Sequence, residues 1–282
     1  MDFRSCLYGL SDVIINRPTP LRVFDQIYMK LPDMLLQAEL TARWCDGKTV
    51  LFIGDGDSIA LAMMHLSNQK QIKGQPKHAT VLDFDERIVN SVNRFASNFG
   101  MTDKIHAELY NVADPLPEIH WERHDAFYTN PPWGASNDGE SVCAFVERGI
   151  EGVKPAAIGF IIIGDHSDFP WTHEVLRTTQ QLTINKGFCV AEMLHEFHRY
   201  HLDDSPELTS CCLVVKRSEA HTLTYNSKTL AKDRLERFYG AHLPLKVHYV
   251  RDLTNGGKLE SRDYRMDPWK QESRDDRSVQ QG

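Results

Sequence analysis

Between residues 48 and 217, short apolar runs alternate with amphipathic stretches, and this alternation constrains the fold more than any other feature. Residues 48–54 (KTVLFIG) read as a buried strand ending at a glycine turn. Residues 58–68 (SIALAMMHLSN) follow as a helix with Ser58 as its cap. Further strands are predicted over 78–83, 104–110, 125–130, 156–163, 187–194 and 208–216, with helices over 86–99, 139–153 and 171–184. Strands that alternate with helices pair in parallel, so the fold class is α/β: a doubly wound, mostly parallel, Rossmann-like sheet with helices on both faces. Such sheets bind ligands beyond the carboxyl ends of their strands, where strand order reverses.

The chain is expected to divide into an N-terminal extension with a packing helix (1–47, helix over 34–44), a core (48–217), an appendage (218–250) and a charged, disordered tail (251–282). Within the appendage, a helix over 232–239 and a strand over 245–250 are expected. No apolar run approaches the ~20 residues of a membrane helix, and the N-terminus lacks the basic flank and apolar stretch of a signal peptide, so a cytoplasmic location is expected. The six cysteines, at 6, 45, 143, 189, 211 and 212, form no Cys-x-x-Cys pair and read as reduced, mostly packed thiols. A net charge of −7 argues against a nucleic-acid partner and for a cationic small substrate.

Three sites follow predicted strands. Gly54-Asp55-Gly56-Asp57 is a glycine turn whose two aspartates would repel a phosphate and favour a cation. Asp83-Phe84-Asp85 ends the second strand, where a carboxylate accepts hydrogen bonds from a ribose diol; Asp85 also suits a helix N-cap. Asn130-Pro131-Pro132-Trp133 ends the fourth. The prolines stiffen the backbone so that the Asn130 amide and Pro131 carbonyl converge on one point, and Trp133 adds an apolar or cation–π wall. The His195-to-His201 segment invites a metal reading, but it follows a strand and is one residue short of His-Glu-x-x-His; no metal is assigned. Glu196, Tyr200 and His166 are candidates for the pocket mouth, whereas Trp171 is expected to pack.

The three sites in this order resemble the class I methyltransferase fold, in which Asn-Pro-Pro-aromatic holds a target nitrogen near the donor sulfonium. A closer resemblance runs from about Pro18 to Lys216, through Pro18-Thr19-Pro20, Asp25-Gln26, Gly54 to Asp57, Asp83 to Arg87, Pro115-Leu116-Pro117, Pro131-Pro132 and Phe145 to Gly149. These pieces look like the branched-chain polyamine synthases, the N4-bis(aminopropyl)spermidine synthases of thermophilic archaea and bacteria. That resemblance implies aminopropyl transfer from decarboxylated S-adenosylmethionine to a polyamine amine. It implies an acidic loop at Asp55 and Asp57, a donor site including Gly54, Gly56, Asp83, Phe84, Asn111 and Asn130, and an acceptor site at Pro131, Pro132 and Trp133.

The chain departs from that pattern at Asn130, where the family carries aspartate; asparagine orients an amine but removes no proton. Asp57 or Asp55 is therefore expected as the proton acceptor or electrostatic anchor. Ser58 and Phe52 differ from the usual methyltransferase glycine motif, and the family's small N-terminal domain is expected to be absent. The acidic loop favours decarboxylated S-adenosylmethionine over S-adenosylmethionine, whose α-carboxylate it would repel. The alternative is S-adenosylmethionine-dependent N-methyl transfer to an amine or amide, whose motif Asn130-Pro131-Pro132-Trp133 matches; a further reading is a non-enzymatic nucleoside-binding subunit. A homodimer is compatible with the sequence but not specified by it.

Overall fold

A computed structural model of the chain describes residues 3–135, 137–218, 227–238, 245–254 and 263–269. Seven strands form one sheet: β1 (Thr49–Ile53), β2 (His78–Asp83), β3 (Ile105–Leu109), β4 (His124–Thr129), β5 (Val153–Gly164), β6 (Cys189–Arg199) and β7 (Thr209–Arg217). Their order is β3-β2-β1-β4-β5-β7-β6. The first five pair in parallel, and β7 runs antiparallel to both β5 and β6. From β1 the chain moves outward to β2 and β3, then returns to place β4 on the other side of β1. The switch point therefore lies between β1 and β4, and the crevice opens beyond their carboxyl ends.

The apolar run of β1 is continuous because both faces of the sheet are covered. Val50 and Phe52 enter a core built with α1 (Phe3–Asn16), α2 (Leu31–Trp44), α3 (Ile59–Asn68) and α4 (Glu86–Asn98). Leu51 and Ile53 enter a second core with α5 (Glu140–Gly152), α6 (Pro170–Asn185) and the short α7 (Lys232–Glu236). Among the described residues no helix is long and apolar enough to cross a membrane.

Two elements depart from the sequence expectations. No helix was expected before residue 34, yet α1 buries Cys6, Leu10 and Val13 along one stripe. Gly9 obscures it, since glycine disfavours a helix interior; a Cβ there would lie 2.8 Å from the Leu66 side chain. The tail expected to be disordered contains β9 (Tyr264–Pro268), paired with β8 (Val247–Asp252). Its charges are matched locally, with Arg251 Nε 2.7 Å and Arg265 Nε 3.1 Å from the Asp267 carboxylate. Tyr264 also packs against the Leu21, Phe24 and Val250 cluster. The helix expected over 232–239 ends at Glu236, where Arg237 closes it, and residues 255–262 and 270–282 of the tail lie outside the described residues.

A buried ion pair fastens these outer pieces to the core. Asp85 caps α4 by accepting the Arg87 N–H. Its carboxylate also accepts Arg87 Nη2 at 2.6 Å and Gln26 Nε2 at 3.0 Å. Arg87 in turn donates to the Thr19 carbonyl and lies 4.9 Å from the Tyr264 ring centroid. Both ion-pair side chains are almost fully buried. Asp85→Ala strands the guanidinium and is expected to destabilise the protein by about 3–5 kcal/mol in urea unfolding; a loss below ~1 kcal/mol, the scale of an exposed pair, contradicts the assignment.

Candidate functional site

The crevice holds a cavity of about 270 Å³. The post-strand loops carry its polar groups and aromatic side chains close its sides. Gly54 turns the chain out of β1 with φ of 70°, and a Cβ there would stand 3.1 Å from the Phe145 ring. Both the turn and the close approach require glycine.

The loop acids are engaged by the protein itself. Asp55 Oδ1 and Oδ2 accept the Ile59 and Ala60 N–H groups at 2.8 and 2.9 Å. Asp55, not the expected Ser58, therefore caps α3; Ser58 is left-handed at φ 60° and makes no side-chain cap bond. Asp57 Oδ1 accepts the Met29 N–H at 2.7 Å and Oδ2 accepts Asn130 Nδ2 at 2.7 Å. Asp83 accepts the Asp55 and Asp85 N–H groups at 3.0 and 2.9 Å. All three acids line the cavity. Burial raises each carboxyl pKa, that of Asp83 to about 7. The donated hydrogen bonds work against that rise at all three, as does the Arg17 charge at Asp57.

Asn130 links the loops. Besides donating to Asp57, it accepts the Trp133 indole N–H through Oδ1 at 3.3 Å. Trp133 meets Tyr200 edge to face at 5.1 Å. Pro131, Pro132, Trp133, Tyr200, Gly54, Gly56, Phe84 and Asn111 all line the cavity. Asn111 spends its amide on the His248 carbonyl at 2.6 Å and its oxygen on the Ala113 N–H at 2.9 Å. It thereby anchors β8 beside the cavity.

His166 and Glu196 are not among the cavity-lining residues, contrary to expectation. The His166 Nδ1 accepts the Asp168 N–H, and its ring lies near Phe169. Strand β6 runs on through Arg199 with a register shift between Leu194 and His198. Glu196 sits in that irregularity at φ 45°, exposed, with its N–H on Asp165. The segment is thus a strand, and His195 and His198 cannot share a helix face.

Several wall residues escaped the sequence reading. Tyr28 reaches the cavity from before β1, held by its hydroxyl on the Pro18 carbonyl at 2.7 Å with Arg17 stacked 4.2 Å over its ring. Phe238 and Leu245 come from the appendage. Trp171, expected only to pack, does both. Asp25 and Gln26 had surfaced only as part of a resemblance, and Asp25 stands exposed at the rim. Among the described residues the lining includes Asp25, Asp55, Asp57 and Asp83 and no lysine, arginine or histidine.

Residues 7–251 match the family model described as the branched-chain polyamine synthase A C-terminal domain. The chain belongs to that family. It is 27% identical over 202 residues to N(4)-bis(aminopropyl)spermidine synthase of Thermococcus kodakarensis, covering 70% of this chain and 53% of that protein. It is 30% identical over 190 residues to the Thermus thermophilus protein of the same name, covering 66% and 50%. The chain thus spans about half the length of these curated relatives. The fold matches the crystal structure of the Thermus thermophilus branched-chain polyamine synthase in complex with N4-aminopropylspermidine and 5'-methylthioadenosine. The TM-score is 0.66 at 23% identity, covering 80% of this chain and 67% of that one.

With its pKa raised to about 7, Asp83 is expected to make the binding of any nucleoside it holds pH-dependent. A ribose diol donates best to the ionised carboxylate, which predominates above about 7 and is lost as pH falls. Methylthioadenosine affinity is expected to fall roughly five- to tenfold from pH 8 to pH 6 by calorimetry. The slope disappears in Asp83→Asn; a flat wild-type profile contradicts this role.

Proposed function

We propose that this domain transfers an aminopropyl group from decarboxylated S-adenosylmethionine to an amine of a polyamine. The observation that carries the reading is the charge of the cavity wall: aspartates and aromatic rings, with no cation among the described residues. The α-carboxylate of S-adenosylmethionine would enter a buried acidic site without a partner, at a cost on the order of 1 kcal/mol or more. Decarboxylation removes that group and leaves a sulfonium and an amine, both of which the aspartates stabilise. The relatives' names, and the aminopropylspermidine and methylthioadenosine in the Thermus thermophilus complex, support the same chemistry.

In this reading Asp83 holds the ribose, and Phe84, Gly54, Gly56 and Asn111 border the nucleoside. Tyr200, Trp133, Pro131 and Pro132 border the acceptor. The acceptor nitrogen attacks the propyl carbon beside the sulfonium in line; the N–C bond forms as the C–S bond breaks, and methylthioadenosine leaves with the electron pair. The site contributes alignment and exclusion of water. The nitrogen must also shed a proton. Asp57 suits that task better than Asp55, because its Oδ2 faces the Asn130 amide of the loop that borders the acceptor, whereas both Asp55 oxygens are held by backbone N–H groups at the start of α3. Asn130, in place of an acid, donates to Asp57 and keeps a carbonyl lone pair for the incoming N–H.

The second reading, N-methyl transfer from S-adenosylmethionine, draws on the Asn130-Pro131-Pro132-Trp133 geometry. Mass spectrometry of spermidine incubated with each donor separates the two, since an aminopropyl and a methyl addition differ plainly in mass. Aminopropylated spermidine is expected with the decarboxylated donor alone; a methylated amine with S-adenosylmethionine contradicts the proposal. Asp57→Asn is expected to lower turnover by at least about 100-fold; near-normal rates would remove Asp57 from the mechanism.

A further inference from the structure

Behind the pocket wall lies a buried polar chain with no role in the reaction outlined above. The Tyr200 hydroxyl is 2.8 Å from Ser210 Oγ, which is 2.9 Å from His198 Nδ1. His198 Nε2 is 2.9 Å from Gln37 Oε1, and Gln37 Nε2 donates to Thr41 Oγ1 at 2.9 Å. Thr41, Gln37, His198 and Ser210 are completely buried, on α2, β6 and β7, and only Tyr200 reaches the cavity.

The direction of every bond in this chain follows from its far end. Thr41 donates its hydroxyl hydrogen to the Gln37 backbone carbonyl at 2.9 Å, so it can only accept from the Gln37 amide. That turns Gln37 Oε1 toward His198, whose Nε2 must carry the proton. Burial lowers the His198 pKa to about 3, so the ring is neutral and Nδ1 is an acceptor. Ser210 therefore donates to Nδ1 and accepts from Tyr200. Tyr200 is thereby held edge to face against Trp133 at 5.1 Å, and the Trp133 indole N–H donates to Asn130 Oδ1 at 3.3 Å.

We propose that Thr41, Gln37, His198, Ser210 and Tyr200 form a directional hydrogen-bond relay that locks Tyr200 against Trp133 and so seats the indole that, together with Asp57, orients the Asn130 carboxamide with its carbonyl oxygen toward the acceptor amine. His198 and Ser210 are positioning residues that touch neither donor nor acceptor. The relay supplies what an aspartate at position 130 would not need: a carboxylate looks alike to its neighbours from either end, whereas a flipped carboxamide would present N–H groups to an amine already rich in them. The inference rests on the amine-transfer reading of the site, but the polarity of the relay does not.

Two measurements on the full chain test it. The first is long-range 1H–15N NMR of histidine-labelled protein, with the His198 signal identified by its loss in His198→Gln. The expected result is a neutral ring protonated at Nε2 from pH 6 to 8; an Nδ1–H tautomer or a charged ring overturns the relay, whatever the chain catalyses. The second compares Ser210→Ala with Ser210→Thr, which keeps the hydroxyl. Ser210→Ala is expected to lower kcat for the amine acceptor about tenfold or more with methylthioadenosine affinity within about twofold of wild type, and Ser210→Thr to recover most of the rate. An unchanged kcat in Ser210→Ala, a parallel loss of nucleoside affinity, or no recovery in Ser210→Thr overturns the positioning role. Absence of transfer by the wild-type chain instead counts against the functional reading and leaves the tautomer test decisive for the relay.

Discussion

The Asp57 carboxylate is where the separate pieces of this site meet. It sits almost fully buried at the end of the β1 loop, with one oxygen on the Met29 N–H and the other on the Asn130 amide. Those two bonds draw the segment before α2 and the loop after β4 onto the same point. A buried carboxylate is tolerated only when its lone pairs are satisfied, so the geometry of all three segments is conditional on this one group. Arg17 reinforces it from behind, donating to the Asp57 carbonyl at 3.2 Å while stacked on Tyr28. The same desolvation that makes the acid costly to bury raises its basicity, and the site takes its chemical character from that tension.

In the proposed reading, charge separates the two kinds of sulfonium donor. Methyltransferase-type and aminopropyltransferase-type sites share a sheet, a glycine turn and a ribose acid, so fold alone cannot separate them. The difference lies in what greets the methionine-derived tail of the donor. In the proposed reading Asp55 and Asp57 do, each held by backbone N–H groups, and no described lining residue offsets a carboxylate. The appendage completes the enclosure: Asn137 donates to the Arg237 and Phe238 carbonyls at 2.9 and 2.8 Å, and Arg234 pairs with Glu140 and Glu147 of α5. Phe238 and Leu245 thereby become walls of the cavity despite lying far from the core in sequence.

Most of the sheet was legible because its strands are apolar on both faces and end in glycine, aspartate or proline. The β2 limits 78–83 coincide with the structure, and the sites after β1, β2 and β4 converge as the switch-point rule requires. What stayed hidden depends on tertiary contacts. Helix α1 is masked by Gly9, whose reason is the neighbouring Leu66. Strand β9 reads as a charged tail until Arg251 and Arg265 are placed around Asp267. Ser58 looked like a cap by residue type, but Asp55 reaches the N–H groups first. His166 and Glu196 followed strands, as pocket residues do, but the shift in β6 turned Glu196 outward, and the local contacts of His166 gave no hint from sequence. Tyr28, by contrast, enters from outside the alternating core, where periodicity carries no information about a pocket.

The central claim is that the donor tail meets a wall with no place for a carboxylate. Methylthioadenosine and S-adenosylhomocysteine share the nucleoside and sulfur and differ in the charged tail, so calorimetric comparison of the two at pH 8 isolates that wall. The account predicts tighter binding of methylthioadenosine, with a gap that narrows in Asp57→Asn as one carboxylate's repulsion is removed. Tighter binding of S-adenosylhomocysteine would contradict it and assign the site to methyl transfer.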